Sequence, residues 1–284
     1  SSVGEAPSSI TYDGTRDRLY VMLKQAIVAV DPSTLRTIDR WEAPQPFDPN
    51  GAMALDARGG RLYVPQPQGV TALALDKPQL MATNTYMLGA APGGLALSPD
   101  GAALFALDPQ QARLWTIDIS GGSATSQVLA PARTRNGWLA TSQDGQSVYV
   151  LLTGAAAGDR PALWRVDRRG QAGAPAALAQ APPPWDMELT RAGQLAIARG
   201  DGTRGGIELL DPTTLTTTAR LDPDYDQHHA VVGPDGALFG LNFTHRTATR
   251  FDAGAHTVVW RTPEDSGWQP WDGVLVPGGW RWPW

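Results

Sequence analysis

Seven times along this chain an aromatic or small residue recurs at nearly constant spacing, at Tyr20, Tyr63, Phe105, Tyr149, Ala196, Phe239 and Trp282, with intervals of 43, 42, 44, 47, 43 and 43 residues. The longest interval contains an extra Gly/Ala-rich stretch at 153–160. A tight turn precedes each segment: Asp13-Gly14, Gly59-Gly60, Asp100-Gly101, Asp144-Gly145, Ala192-Gly193, Asp235-Gly236 and Gly278-Gly279. Glycine there supplies the positive φ that a tight hairpin demands. A further apolar segment closes on Asp31, Asp76, Asp118, Asp167, Asp211 and Asp252. An aspartate at that point bonds its own downstream backbone and starts the turn into an outer strand. Two of these turns are near copies, Asp31-Pro32-Ser33-Thr34-Leu35 and Asp211-Pro212-Thr213-Thr214-Leu215.

Four short strands per unit of about 43 residues is the pattern of a propeller blade. A sheet of this kind has two apolar faces and buries neither alone, so the units must stack until a ring closes. The expected fold is therefore all-β, a single seven-bladed β-propeller over residues 1–284. The blades fall at about 9–46, 47–90, 91–133, 134–180, 181–224, 225–266 and 267–284, the last completed by 1–8. The seventh unit ends at Trp282-Pro283-Trp284, in or just after its second strand, while Ser2 to Pro7 resembles the close of a fourth strand such as Met87 to Pro92. The termini are thus expected to meet and close the last blade.

Composition narrows the function. A net charge of -5 and no basic cluster interleaved with aromatics argue against nucleic acid as a partner. No apolar run reaches the roughly 18 residues of a membrane span. With no cysteine, disulfides, thiolate metal sites and thiol catalysis are excluded. Few lysines and abundant Ala, Pro, Gly and Thr fit an exported chain, and the expected location is periplasmic, secreted or at the cell surface.

The segments Leu19-Tyr20-Val21, Leu62-Tyr63-Val64 and Val148-Tyr149-Val150, the turns Ser98-Pro99-Asp100-Gly101 and Gly233-Pro234-Asp235-Gly236, and the third-strand aspartates carry a resemblance to the YVTN type of propeller repeat. That repeat is shared by bacterial surface and periplasmic proteins and by the propeller chains of quinoprotein amine dehydrogenases. The resemblance spans nearly the whole chain and specifies a scaffold that hosts many activities. Kinship with the amine dehydrogenase propellers would imply a subunit of a multi-chain oxidoreductase that holds no redox cofactor of its own. A lactonase-like hydrolase would instead need carboxylates around a divalent ion, with Asp186, Asp226 and Asp272 as candidates.

Eleven residues before each repeat position lies the start of a first strand, near one mouth of the ring. Those places hold Ser9, Ala52, Gly94, Trp138, Trp185, His228 and Trp271, so large rings gather in the later blades. The triplets Pro184-Trp185-Asp186 and Pro270-Trp271-Asp272 repeat, and Phe47-Asp48 is a looser echo. Trp138, Trp185, Asp186, His228, Trp271 and Asp272 are the candidate ligand-binding residues. Indoles beside carboxylates can hold a sugar, a cation or an aromatic group, or can equally serve as wedges between blades. His228 with Asp226 could contribute to a metal site, but His228 and His229 should point to opposite faces of a strand. The acidic run Asp222 to Asp226 reads as a solvated loop, and Glu188 and Glu208 as outward-facing strand residues. Trp280, Trp282 and Trp284 alternate, as a closure zipper or an aromatic stripe would. No nucleophile motif or phosphate-binding loop is present. The expectation is a non-catalytic binding or scaffold propeller with no metal or cofactor, recognising a protein partner or small ligand.

Overall fold

The computed structural model describes residues 7–48, 51–130, 134–154, 160–233, 235–264, 275–276 and 279–280. Twenty-four strands build six antiparallel four-stranded sheets, each a meander in chain order. Blade 1 comprises Ser9–Asp13, Arg18–Met22, Ala26–Val30 and Thr37–Glu42; blade 2, Ala54–Asp56, Arg61–Gln66, Gly69–Ala74 and Met81–Met87; blade 3, Gly94–Leu97, Ala103–Asp108, Arg113–Asp118 and Ala124–Val128. Blade 4 comprises Thr134–Thr141, Ser147–Gly154, Ala162–Asp167 and Ala176–Ala177; blade 5, Pro184–Leu189, Leu195–Gly200, Gly205–Leu210 and Thr217–Leu221; blade 6, His229–Val232, Leu238–Asn242, Thr247–Asp252 and Thr257–Arg261.

The middle strands are largely apolar because a neighbouring blade covers each of their faces. Ala26–Val30 and Leu195–Gly200 are buried at every residue, whereas the outer strand Thr37–Glu42 is largely exposed and carries charge. The repeat residues Tyr20, Tyr63, Phe105, Tyr149, Ala196 and Phe239 all lie in this core. At Asp31, Asp118, Asp167, Asp211 and Asp252 the third-strand aspartate acts as expected: Asp31 Oδ1 accepts from the backbone N–H of Ser33 and Thr34 at 2.8 Å each, and Asp211 Oδ1 from Thr213 and Thr214 at 2.8 Å. Leu35 and Leu215 then take positive φ, 54° and 58°, to enter the outer strand. Glycines at the first hairpins also adopt positive φ, as at Gly101 (70°) and Gly236 (82°). Blade 1 departs from this pattern, because Asp17 (51°), three residues beyond Gly14, makes the left-handed step.

The core is a series of layers between blades. Tyr20, Met22 and Ile27 of blade 1 pack on Leu62, Val64 and Leu73 of blade 2, and similar layers join each successive pair through blade 6. Two further clusters draw on one blade each: Ile10, Leu19, Val21, Leu23, Val28 and Val30 on the far face of blade 1, and Val231, Phe239, Leu241 and Ala248 on the far face of blade 6.

The described residues therefore form six four-stranded blades, where the repeat count led to an expectation of seven. Among the described residues the seventh unit contributes a two-stranded hairpin, Leu275–Val276 with Gly279–Trp280. The expected meeting of the termini, Trp282 and Trp284 lie outside the described residues.

Candidate binding site at the mouth of blades 5 and 6

At one end of the sheets each first strand begins and each second strand ends, which brings four segments of blades 5 and 6 together. Pro184 and Trp185 open the first strand of blade 5, and Gly200 ends its second. Asp226 to His228 immediately precede the first strand of blade 6, and Phe243 follows its second. The Trp185 indole N–H donates to Gly200 O at 2.8 Å. Its ring meets His228 edge-on, with centroids 5.3 Å apart, and Phe243 at 5.9 Å and 88°. Beneath it the His228 and Phe243 rings lie 3.4 Å apart. Trp185 is 38% exposed and His228 only 2%. The indole is a surface ring held on the buried His228 and the half-buried Phe243.

A buried acid lies behind it. Asp226 is fully inaccessible, and its Oδ2 is 3.2 Å from His228 Nε2. Burial pushes Asp226 above the usual carboxylate range, with the Gly202 backbone N–H and the Thr244 hydroxyl opposing the rise. Burial first, and then His229 and His245, push His228 down to about 3. Both shifts favour the neutral forms, as removal from water requires. Asn242 Nδ2 donates to Asp226 O at 2.6 Å and its Oδ1 accepts from His245 N at 2.8 Å, so the loop after blade 6's second strand locks onto the same segment.

Asp186 links the two blades from the inner side. Its Oδ1 accepts from Met187 N at 2.8 Å and its Oδ2 from Ala230 N at 3.1 Å, with His229 Nδ1 at 3.4 Å. His228 and His229 thus face different carboxylates, as strand alternation requires. Trp138 is half-buried against the layer between blades 4 and 5 and makes no ring contact with Trp185. Phe47 likewise lies in the layer between blades 1 and 2. Trp271 and Asp272 lie outside the described residues. Among the described residues no group of three or more His, Asp or Glu is arranged to hold a metal ion.

Two expectations are corrected. Glu208 is not solvated: it is 3% exposed and paired with Arg199, Nε to Oε2 2.5 Å. The run 222–226 is not a free loop either, because Asp226 is buried and Asp222 pairs with Arg261, whose guanidinium stacks 3.5 Å from the Tyr225 ring centre. Phe243 and Gly200 belong to the site and have no mark in the repeat. On the same end of the molecule, a cleft of about 210 Å³ is lined by Asp48, Gly89, Ala90, Ala91, Asp108 and Pro109, among others. It is below the roughly 300 Å³ at which ligand pockets begin.

The described architecture is that of a β-propeller with an aromatic and carboxylate cluster at one mouth. No known family profile matches the chain, and no curated protein sequence matches it. Among solved structures, hydrazine synthase from Kuenenia stuttgartiensis is similar with a TM-score of 0.78 at 15% identity, over 98% of this chain and 93% of that one. Virginiamycin B lyase from Staphylococcus aureus is similar with a TM-score of 0.67 at 13% identity, over 91% and 84%. At such identity the likeness concerns the fold, which fits a scaffold that serves unrelated chemistries.

Proposed function

We propose that this protein is a binding propeller that engages a protein partner or small ligand at the mouth of blades 5 and 6, with Trp185 as the principal contact. The observation that carries the reading is the state of that indole. It is exposed, yet its N–H is bound to Gly200 O and its edges rest on His228 and Phe243, so little conformational freedom remains to be lost on binding. Aromatic anchors of this kind dominate binding energy at interfaces. Asp186 and His228 hold the ring's surroundings, and in this reading the repeated triplet makes Trp271 and Asp272 further contact candidates. An exported location completes this reading, in keeping with few lysines and abundant Ala, Pro, Gly and Thr. So does closure of a seventh blade by both termini, which gives the apolar far faces of blades 1 and 6 a common neighbour.

The test is native mass spectrometry of the protein purified from its own cells, beside the Trp185→Ala variant. A co-purifying species that is lost with the indole while the fold is retained supports the reading. Retention of that species in the variant refutes the assignment of the site. A second reading, a subunit of a multi-chain oxidoreductase, draws on the resemblance of the repeat segments and turns to the amine dehydrogenase propellers. The same spectra separate the two, since stoichiometric redox-active partner chains appear only in the second.

A further inference from the structure

Glu208 and Arg199 form a buried ion pair inside blade 5, and we infer that this pair is the positioning element for the Trp185 indole. The inference rests on the reading of Trp185 as the contact residue. Arg199 is 4% exposed in the second strand, among Leu195, Ala196, Ile197 and Ala198. Its Nε donates to Glu208 Oε2 at 2.5 Å, and Thr217 Oγ1 donates to Glu208 Oε1 at 2.7 Å. Its Nη1 reaches out of the sheet and donates to two carbonyls of the connection from blade 4, Ala179 O at 3.0 Å and Pro182 O at 2.7 Å. Gly200 N then donates to Pro183 O at 3.1 Å, and Gly200 O accepts the Trp185 indole N–H. Arg199 O accepts from Gln227 N at 3.0 Å, which ties the same point to the segment carrying His228.

Two arguments separate this role from ordinary stabilisation. The first is energetic. A buried ion pair repays its desolvation poorly, and apolar residues of similar volume commonly serve the fold as well or better. Here Arg199 Nη2 meets no acceptor, so the pair is not even fully satisfied. The second argument comes from the repeat. The two places lie three residues after the repeat position and one before its third-strand partner. In blade 1 they hold Leu23 and Val28, and in blade 6 Asn242 and Thr249. No other described blade pairs a cation with an anion there, so the scaffold does not need the pair. Blade 5 combines it with an exposed tryptophan at its opening. A rigid guanidinium fork gripping two carbonyls fixes where the chain enters Trp185, which a point charge or an apolar side chain does not.

The experiment uses the full chain with Arg199→Met and Glu208→Leu combined, so that no charge is left buried alone. The readout is the indole N–H resonance of Trp185, assigned by its disappearance in Trp185→Phe. The expected result is a thermal midpoint at or above that of the parent, with hydrogen exchange of that indole at least tenfold faster. Unchanged exchange in a folded variant overturns the inference. A variant that fails to fold also overturns it, because the pair would then be required by the blade itself. If the indole is released and the species bound at the mouth in native spectra stays bound, the positioning role stands and the reading of Trp185 as the contact fails.

Discussion

The carboxylate of Asp226 lies directly against Gly200, so that a Cβ placed on the glycine would sit 1.7 Å from Asp226 Oδ1. Gly200 also accepts the Trp185 indole N–H at 2.8 Å. One glycine therefore lets the buried acid of blade 6 and the exposed ring of blade 5 share a single point of backbone. Replacement by alanine must push Asp226 away, and with it His228. Gly200→Ala should cost about 1–3 kcal/mol, the usual range for overpacking a filled site. Denaturant melts check this. An unchanged midpoint would show that the segment before blade 6 yields freely.

His228 gives the protein a sign-definite response to acid. Its pKa falls from 6.5 when unfolded to about 3 in the fold. As pH drops from 6.5 toward 3, the unfolded chain takes up a proton that the native imidazole refuses, and stability is lost. The full window corresponds to on the order of 5 kcal/mol. Asp226, raised in the fold, works in the opposite sense above 3.8 and offsets part of this loss. His228→Phe, which keeps a ring against Phe243, should flatten the decline of stability between pH 6.5 and 4. An equally steep decline would mean that His228 is not held neutral.

Trp138 and Trp185 should separate packing from binding. Trp138 is half-buried against the layer between blades 4 and 5, so Trp138→Ala should cost about 2–3 kcal/mol, below the full value for a buried tryptophan. It should leave binding at the mouth intact. Trp185→Ala should reverse the pattern, with a small change in midpoint and loss of binding. Paired thermal melts and native spectra decide the matter, and two variants that behave alike would dissolve the distinction.

The Asx turn at Asp31 predicts a different acid signature. Hydrogen bonds from the Ser33 side chain and the Thr34 backbone, the two largest causes, draw its pKa from 3.8 down to about 2. A lowered carboxylate contributes stability above 3.8 that disappears as pH falls through about 2. Asp31→Ala should melt at a lower temperature than the parent at pH 5, with the gap closing near pH 2. A gap that persists unchanged at pH 2 would point to a loss unconnected with the charge.

The blades were legible because periodic apolar segments and turn residues act locally. Tyr20, Tyr63, Phe105, Tyr149, Ala196 and Phe239 are core residues at the repeat positions, and Asp31 and Asp211 make the turns their side chains favour. The mouth was legible in part. Counting back from the repeat found Trp185 and His228, which do meet. The same count selected Trp138, whose ring turns into a layer between blades, because strand phase alone does not say whether a neighbour covers a side chain. Glu208 was misread for the same reason: a carboxylate in a strand looks solvated until the partner from the adjacent strand is known.

The sequence by itself determined an all-β repeat of about 43 residues per unit and the chemistry of its turns, since these depend on contacts within a few residues of one another. The tertiary structure decided the rest. It gave six four-stranded blades in the described residues, brought Gly200 against Asp226, closed Arg199 on Glu208 and left Trp185 exposed over His228 and Phe243. Those outcomes turn on which side chains meet across strands and blades, and burial and ionisation are properties of that meeting.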